Sequence, residues 1–248
     1  MTTSRQAAKQ PAFNLLQCQN LPIFDQLQLE EALLRADEGN WCLINRGTPP
    51  AIVMGISGQP EKFIDAHILA QNPVPVIKRF SGGGTVFVDA NTTFVTWICN
   101  VHQLDVECCP VKIHAWTSQL YQDAFPMLGM KLRENDYVIG EHKWGGNAQY
   151  LCKGRWLHHT SMLWDYDPVA MRRLLQPQKM PAYRQNRSHD DFLCRLRDHL
   201  PSRTMLEESL ISTLQTRFNI TKVPLLDIQP ILQRPHRKSV IINDFHDF

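Results

Sequence analysis

The sequence predicts an α+β domain, with a mixed and mainly antiparallel sheet flanked by helices, on three observations. Runs rich in β-branched residues turn at glycine or polar clusters and come back, as residues 74–77 and 85–88 do on either side of three glycines. Apolar residues at helical spacing lie between such runs; Ile113, Trp116, Leu120, Tyr121 and Ala124 make one stripe. A chain of 248 residues, 43% hydrophobic and 20% charged, buries a full core as one large domain or two small ones.

Residues 1–12 carry Arg5 and Lys9 and no acid, which is faintly like an organelle transit segment but too short and too poor in arginine, so they read as a disordered, frayed tail. The main domain is read over 13–222. Leu29, Ala32, Leu33 and Ala36 predict a first amphipathic helix ending near residues 37–39. Strands are expected over 41–45 and 51–56, then a helix over 60–71 on Phe63, Ile64, His67 and Ile68. A triple-glycine hairpin follows, then a strand over 93–99, the helix on the Ile113 stripe and a second hairpin around Lys143. Residues 168–175 suggest a helix stopped by Pro177, and Pro181 opens a polar loop rich in arginine and histidine. Leu206, Leu210, Ile211, Leu214 and Phe218 predict a last strong helix over 205–218. From 223 to 248, Pro224, Pro230, Pro235 and the basic run 234–238 read as an irregular tail that wraps the domain or stays mobile.

Charge and cysteine usage narrow the class. Twenty-six basic against 24 acidic residues give a formal charge of +2, which leaves no electrostatic case for nucleic acid. No apolar run is long enough to span a membrane. Seven cysteines, scattered apart from Cys108-Cys109 and without C-x-x-C spacing, point away from a zinc site and towards a reduced compartment. The cytoplasm is the expected location, an organelle matrix the alternative.

Two blocks carry chemistry. Gly82-Gly83-Gly84, opened by Arg79 and closed by Thr85-Val86-Phe87-Val88-Asp89, would let a loop turn backbone N–H groups toward an anion; on its own it reads more readily as a plain hairpin turn. The second block runs Asn135-Asp136 to Lys143-Trp144-Gly145-Gly146-Asn147-Ala148, then His158-His159-Thr160-Ser161. On a strand His158 and His159 face opposite sides, so one at most enters a site and the other is core or surface.

In this order the blocks resemble the lipoate-protein ligase A family, of the biotin ligase and octanoyltransferase superfamily, over roughly residues 12–200. The resemblance implies the biotin/lipoate ligase catalytic fold. It implies that ATP activates lipoate or octanoate to an acyl-adenylate, and that the acyl group passes to a lysine of an acceptor domain in 2-oxoacid dehydrogenase complexes or the glycine cleavage H protein. Lys143 is then the catalytic residue, holding carboxylate and α-phosphate together. ATP would be bound by Arg79, Gly84, Thr85, Val86, Phe87 and Lys143, and lipoate by Lys143, Gly82, Gly83, Ala148 and His159. Mg2+ is expected with ATP, but no ligand is assigned: Asp89 and Asp136 stand at motif positions and serve equally as turn or capping acids. A separate accessory subunit is a further implied partner.

Thr160-Ser161 departs from the family's Gly-Thr and implies a changed fit for nucleotide or acyl chain. Two other readings remain. One is a cysteine-dependent octanoyl or lipoyl transferase, for which the expected positions lack cysteine and Cys152 sits at a hairpin turn away from Lys143. The other is a non-catalytic binding protein that keeps the fold.

Overall fold

A computed structural model describes residues 10–177, 179–233 and 238–242. Its largest sheet has the order β10-β11-β6-β2-β1-β12. In chain order these are β1 (Ala12–Gln19), β2 (Trp41–Arg46), β6 (Thr92–Asn100), β10 (Gly145–Cys152), β11 (Arg155–Leu163) and β12 (Asn219–Lys222). Pairing is antiparallel from β10 to β2, and parallel from β2 through β1 to β12. The smaller sheets are β13-β4-β3-β5, from β3 (Ala51–Met54), β4 (Val76–Lys78), β5 (Val86–Val88) and β13 (Val240–Ile242), and β7-β8-β9, from β7 (Lys131–Arg133), β8 (Asp136–Ile139) and β9 (His142–Lys143). The α+β expectation is met.

Alternation along the central strands divides the core between two faces. Val95, Trp97 and Cys99 of β6, with Trp156 of β11, join the cluster under helices Pro110–Ala124 and Arg203–Arg217, whereas Ile98 and Leu157 join the cluster under helix Ile23–Ala36. All of β6 is buried, because helices cover both of its sides. Caps set the helix limits: Ser202 accepts from Met205 N and starts the last long helix, and Asp65 accepts from Ile68 N and splits the expected 60–71 helix in two.

Several expectations are corrected. The glycine segment is not a hairpin, because β3 lies between β4 and β5, parallel to one and antiparallel to the other. A fully buried Ile52 with a neighbour on each side satisfies the β3 backbone, so the glycines must cross the end of β3. Crossing is close enough that a Cβ on Gly55 would lie 2.3 Å from Gly83 O. The 168–175 helix is only Pro168–Met171, and the loop after Pro181 contains the turns Ala182–Arg184 and His189–Phe192. β1 begins at Ala12, inside the stretch read as frayed; residues 1–9 lie outside the described residues. After residue 223 the chain packs turns Leu225–Ile228 and Gln229–Leu232 near the first helix and adds β13 to β4. Pro235 and most of the basic run 234–238 lie outside the described residues.

Candidate active site

Two cavities meet at Lys143. The larger, about 430 Å³, is walled by Phe63, Val86, Phe87, Leu163, Met171 and Leu174 among its apolar residues, and by Glu134, Asp136, Lys179, Arg184 and His189 among its polar ones. The smaller, about 110 Å³, runs between Ile23, Leu27, Val53, Val88 and Phe94 to His159. Gly84, Thr85, Val86, Lys143, Gly146 and Ser161 line both.

Lys143 ends β9, held through its backbone by Cys194 N donating to Lys143 O at 2.9 Å. Its Nζ lies 2.6 Å from Asp136 Oδ1, and the other oxygen of Asp136 accepts from Tyr183 Oη at 2.9 Å. An acid on β8 and a tyrosine from the segment after Pro181 therefore fix the ammonium where the cavities join. Asp89 lies away from both cavities, with its carboxylate accepting from Asn91 N.

Arg79 is engaged within the protein. The residue is 4% exposed and its guanidinium faces its own loop: Nε and Nη2 donate to Gly82 O at 3.2 and 2.7 Å, Nη2 to Gly84 O at 2.9 Å, and Nη1 to Val53 O at 3.4 Å. Buried carbonyls turned inward need donors, and an arginine fork supplies several at once. Burial lowers its pKa to about 10, with Glu30 opposing the shift. Arg79 thus shapes the loop and borders the smaller cavity.

Of the three glycines only Gly84 reaches the cavity walls. Gly83 has φ +102°, and a Cβ there would stand 2.7 Å from Arg79 Nη2. Gly82 and Gly83 line neither cavity. Thr85, Val86, Phe87, Ala148 and His159 line cavities.

β11 alternates about this site. His159 and Ser161 face the cavities; His158 and Thr160, both wholly buried, face the Pro110–Ala124 helix side. There His158 Nε2 meets Tyr137 Oη at 2.9 Å and its Nδ1 meets Gln149 Nε2 at 3.1 Å, while Tyr121 Oη donates to Thr160 Oγ1 at 3.0 Å. Burial holds the His158 imidazole well below the usual histidine range, and His114 and His159 push the same way. The β-branched residue at 160 thus stands on the closed side and does not crowd either cavity. Of the two residues that depart, Ser161 is the one that lines the cavities.

Sequence reasoning missed Glu30. Its carboxylate is fully buried on the first helix, accepting from Gln26 Nε2 at 2.7 Å and Thr96 Oγ1 at 2.6 Å, and it lies 3.0 Å from His159 Nδ1. The available signal was Gln26 and Glu30 one turn apart on the face carrying Leu27 and Leu33, since polar groups on an apolar helix face need a purpose.

No cysteine lines either cavity. Burial raises the thiols of Cys18, Cys42, Cys99, Cys108, Cys152 and Cys194; at Cys152 it outweighs the opposing pull of Arg35 and Arg155. No group of three His, Cys, Asp or Glu suited to a metal ion occurs among the described residues.

The model of the lipoyl protein ligase A/B catalytic domain matches residues 22–219. The chain belongs to that family. A Plasmodium falciparum relative named inactive lipoate–protein ligase 2 is 26% identical over 266 aligned positions, covering 81% of this chain and 68% of its own. The ligase-family chain spans only 58% and 43% of relatives from Aeropyrum pernix and Schizosaccharomyces pombe. Among solved structures, a bipartite lipoate protein ligase of Thermoplasma acidophilum, described with its E2 lipoyl domain, superposes with TM-score 0.72 at 18% identity, covering 90% of each chain. A lipoate-protein ligase A bound with ATP gives 0.70 at 18% identity, covering 90% of this chain and 92% of that one. At such identities these likenesses speak for the fold.

Proposed function

We propose that this ligase-family chain activates lipoate or octanoate with ATP to an acyl-adenylate, and transfers the acyl group to a lysine of a lipoyl-acceptor domain. The observation that carries the reading is the meeting of two unlike cavities at one ammonium. The narrow, apolar-walled one suits an acyl chain with its carboxylate toward Lys143. The wide one, bordered by the loop after Gly84, suits a nucleotide. Adenylate formation joins a carboxylate oxygen to the α-phosphorus and releases pyrophosphate. A compact cation between the two anions screens their repulsion and holds them for attack. For this, Lys143 must exchange Asp136 for substrate oxygens.

ATP would bring Mg2+, held largely by phosphate oxygens and water. Glu134 and Asp136 are the carboxylates on the wall of the larger cavity that would hold it, although Asp136 is already engaged by Lys143 and Tyr183. A thioester route would need a lowered thiol pKa beside the site, and burial raises the thiols instead. The structures with ATP and with a lipoyl domain support the choice of nucleotide and acceptor.

The name of the Plasmodium relative favours a second reading, a ligase-fold protein that binds its acyl ligand without adenylating it. Pyrophosphate release on mixing the protein with lipoate and ATP separates the two, and mass gain on an apo lipoyl domain tests the transfer. No pyrophosphate from folded protein, with lipoate still bound, would establish the silent form.

A further inference from the structure

Arg79 and Arg187 are both used internally. Arg79 holds the glycine loop, and Arg187 donates to Arg184 O, Asp191 O, Glu141 O and Tyr183 O, tying the segment after Pro181 to the turn after β8. Arg184 is different. It is 5% exposed and lines the larger cavity. Its Nε donates to Arg187 O at 3.1 Å and its guanidinium lies over the Phe192 ring at 4.8 Å, so its orientation is set. Yet Nη2 is buried without a hydrogen-bond partner, and no carboxylate lies within ion-pair distance of Arg184 among the described residues.

A buried cation held in place with a donor idle is costly unless a ligand completes it. The cavity gives that ligand its sign, since Lys143, Lys179 and Arg184 share a wall whose carboxylates are Glu134 and Asp136, and Asp136 is already neutralised by Lys143. It also gives the geometry, since a guanidinium edge matches two oxygens of one phosphoryl group. We propose that Arg184 is a phosphate-binding residue of this site, its idle Nη2 donor taken up by a phosphoryl oxygen of the nucleotide. This rests on the larger cavity being the nucleotide side, as proposed above. Tyr183, the adjacent residue, holds Asp136 and so Lys143. One turn therefore presents a phosphate donor and steadies the catalytic ammonium together.

The test compares the wild-type chain with Arg184→Gln and Arg184→Lys, titrated separately with a non-hydrolysable ATP analogue, adenosine and inorganic tripolyphosphate. Binding is followed by calorimetry and by shift in unfolding temperature. The expected result is a loss of tenfold or more in affinity for the ATP analogue in Arg184→Gln, a smaller loss in Arg184→Lys, and adenosine affinity within twofold of wild type. Tripolyphosphate should raise the wild-type unfolding temperature and not that of Arg184→Gln, which unfolds no lower than wild type without ligand because an unpaired buried charge is gone. Equal weakening of the ATP analogue and adenosine, or unchanged binding of the ATP analogue in both variants, would overturn the proposal. So would wild-type protein that responds to neither polyanion. Arg184-dependent binding of tripolyphosphate without binding of the ATP analogue would leave the anion site standing and defeat the ligase reading instead.

Discussion

His158 and His159 are adjacent in the chain and opposite in circumstance. One is sealed among Tyr137, Gln149 and Thr160, with both ring nitrogens answered; the other looks into a cavity and is answered by a buried carboxylate, Glu30. The closed face of β11 answers its histidine and threonine within the protein, leaving only Gln149 Oε1 and Trp156 Nε1 over among the described residues, and contributes rigidity. The open face leaves room and charge for something that is not protein. A strand's two-residue period therefore separates stability from binding at neighbouring positions, and substitutions should separate them too.

Loss of the open face's central charge has the largest expected effect. Lys143→Ala should lower the rate of adenylate formation by at least about a hundredfold, on the scale of a lost transition-state donor, with the unfolding temperature little changed. Pyrophosphate release and a thermal melt on one preparation check both, and a folded, active variant would remove Lys143 from the mechanism.

The glycines offer the same division within one loop. Gly84 lines both cavities and a Cβ there meets nothing within 4 Å, so Gly84→Val should weaken binding of an ATP analogue about tenfold or more while the fold holds. Gly83→Ala should instead cost about 1–3 kcal/mol of stability, since it forces a left-handed backbone on a residue with a Cβ and crowds Arg79. Denaturant melts beside nucleotide titrations measure both. The distinction fails if the two variants behave alike.

Next come the histidines themselves. His158→Gln should cost about 1–3 kcal/mol by leaving Tyr137 or Gln149 unpartnered, with lipoate affinity little altered; His159→Gln should weaken lipoate severalfold at near-native stability. Acid should unfold the protein through the closed face. In the folded chain His158 and, less strongly, its neighbour His114 and the cavity-wall His189 are held below the ordinary histidine value of 6.5, chiefly by burial. Below that pH the unfolded chain takes up protons that the folded chain refuses, so stability present at neutral pH falls as pH drops, by up to about 1.4 kcal/mol per unit for each histidine. Unfolding free energies between pH 7 and 5 report the slope, and His158→Gln should flatten it.

The smallest effect is expected at Cys152, which belongs to neither cavity and sits at the far end of the β10-β11 hairpin, in register with Arg155. Cys152→Ser should keep activity in proportion to folded protein. An acyl adduct trapped on Cys152 would move the chemistry to a thiolate.

Much of this was legible in sequence because it depends on local period and on residue type. The helix stripes, the strand alternation at His158-His159 and the convergence of Lys143, Thr85, Val86, Ala148 and His159 needed only spacing and the order of motifs. What sequence could not show was pairing across distance. Nothing local says that β3 lies between β4 and β5, so the glycine crossing read as a hairpin. The partners of Arg79 follow from that same crossing, and an arginine beside three glycines looks like a phosphate ligand until their carbonyls are seen to face it. Glu30 lies 129 residues from His159, and only the stacking of the first helix on the sheet joins them.

The segment with β13 has a consequence in time. Phe80 N donates to Ser239 Oγ, and Val240–Ile242 pair with β4 just ahead of the glycine loop, so one wall of the loop's anchorage is built from residues 159 positions further along the chain. At ribosomal speeds of about 5–20 residues per second, the loop waits on the order of ten to thirty seconds for that support. Throughout that interval the β4 edge is bare, and Val76 and Ile77, buried in the finished protein, border an open strand. The nascent chain thus passes through a stage with its glycine loop made but unbraced, when a holdase or a neighbouring nascent chain could compete for the place that β13 later takes.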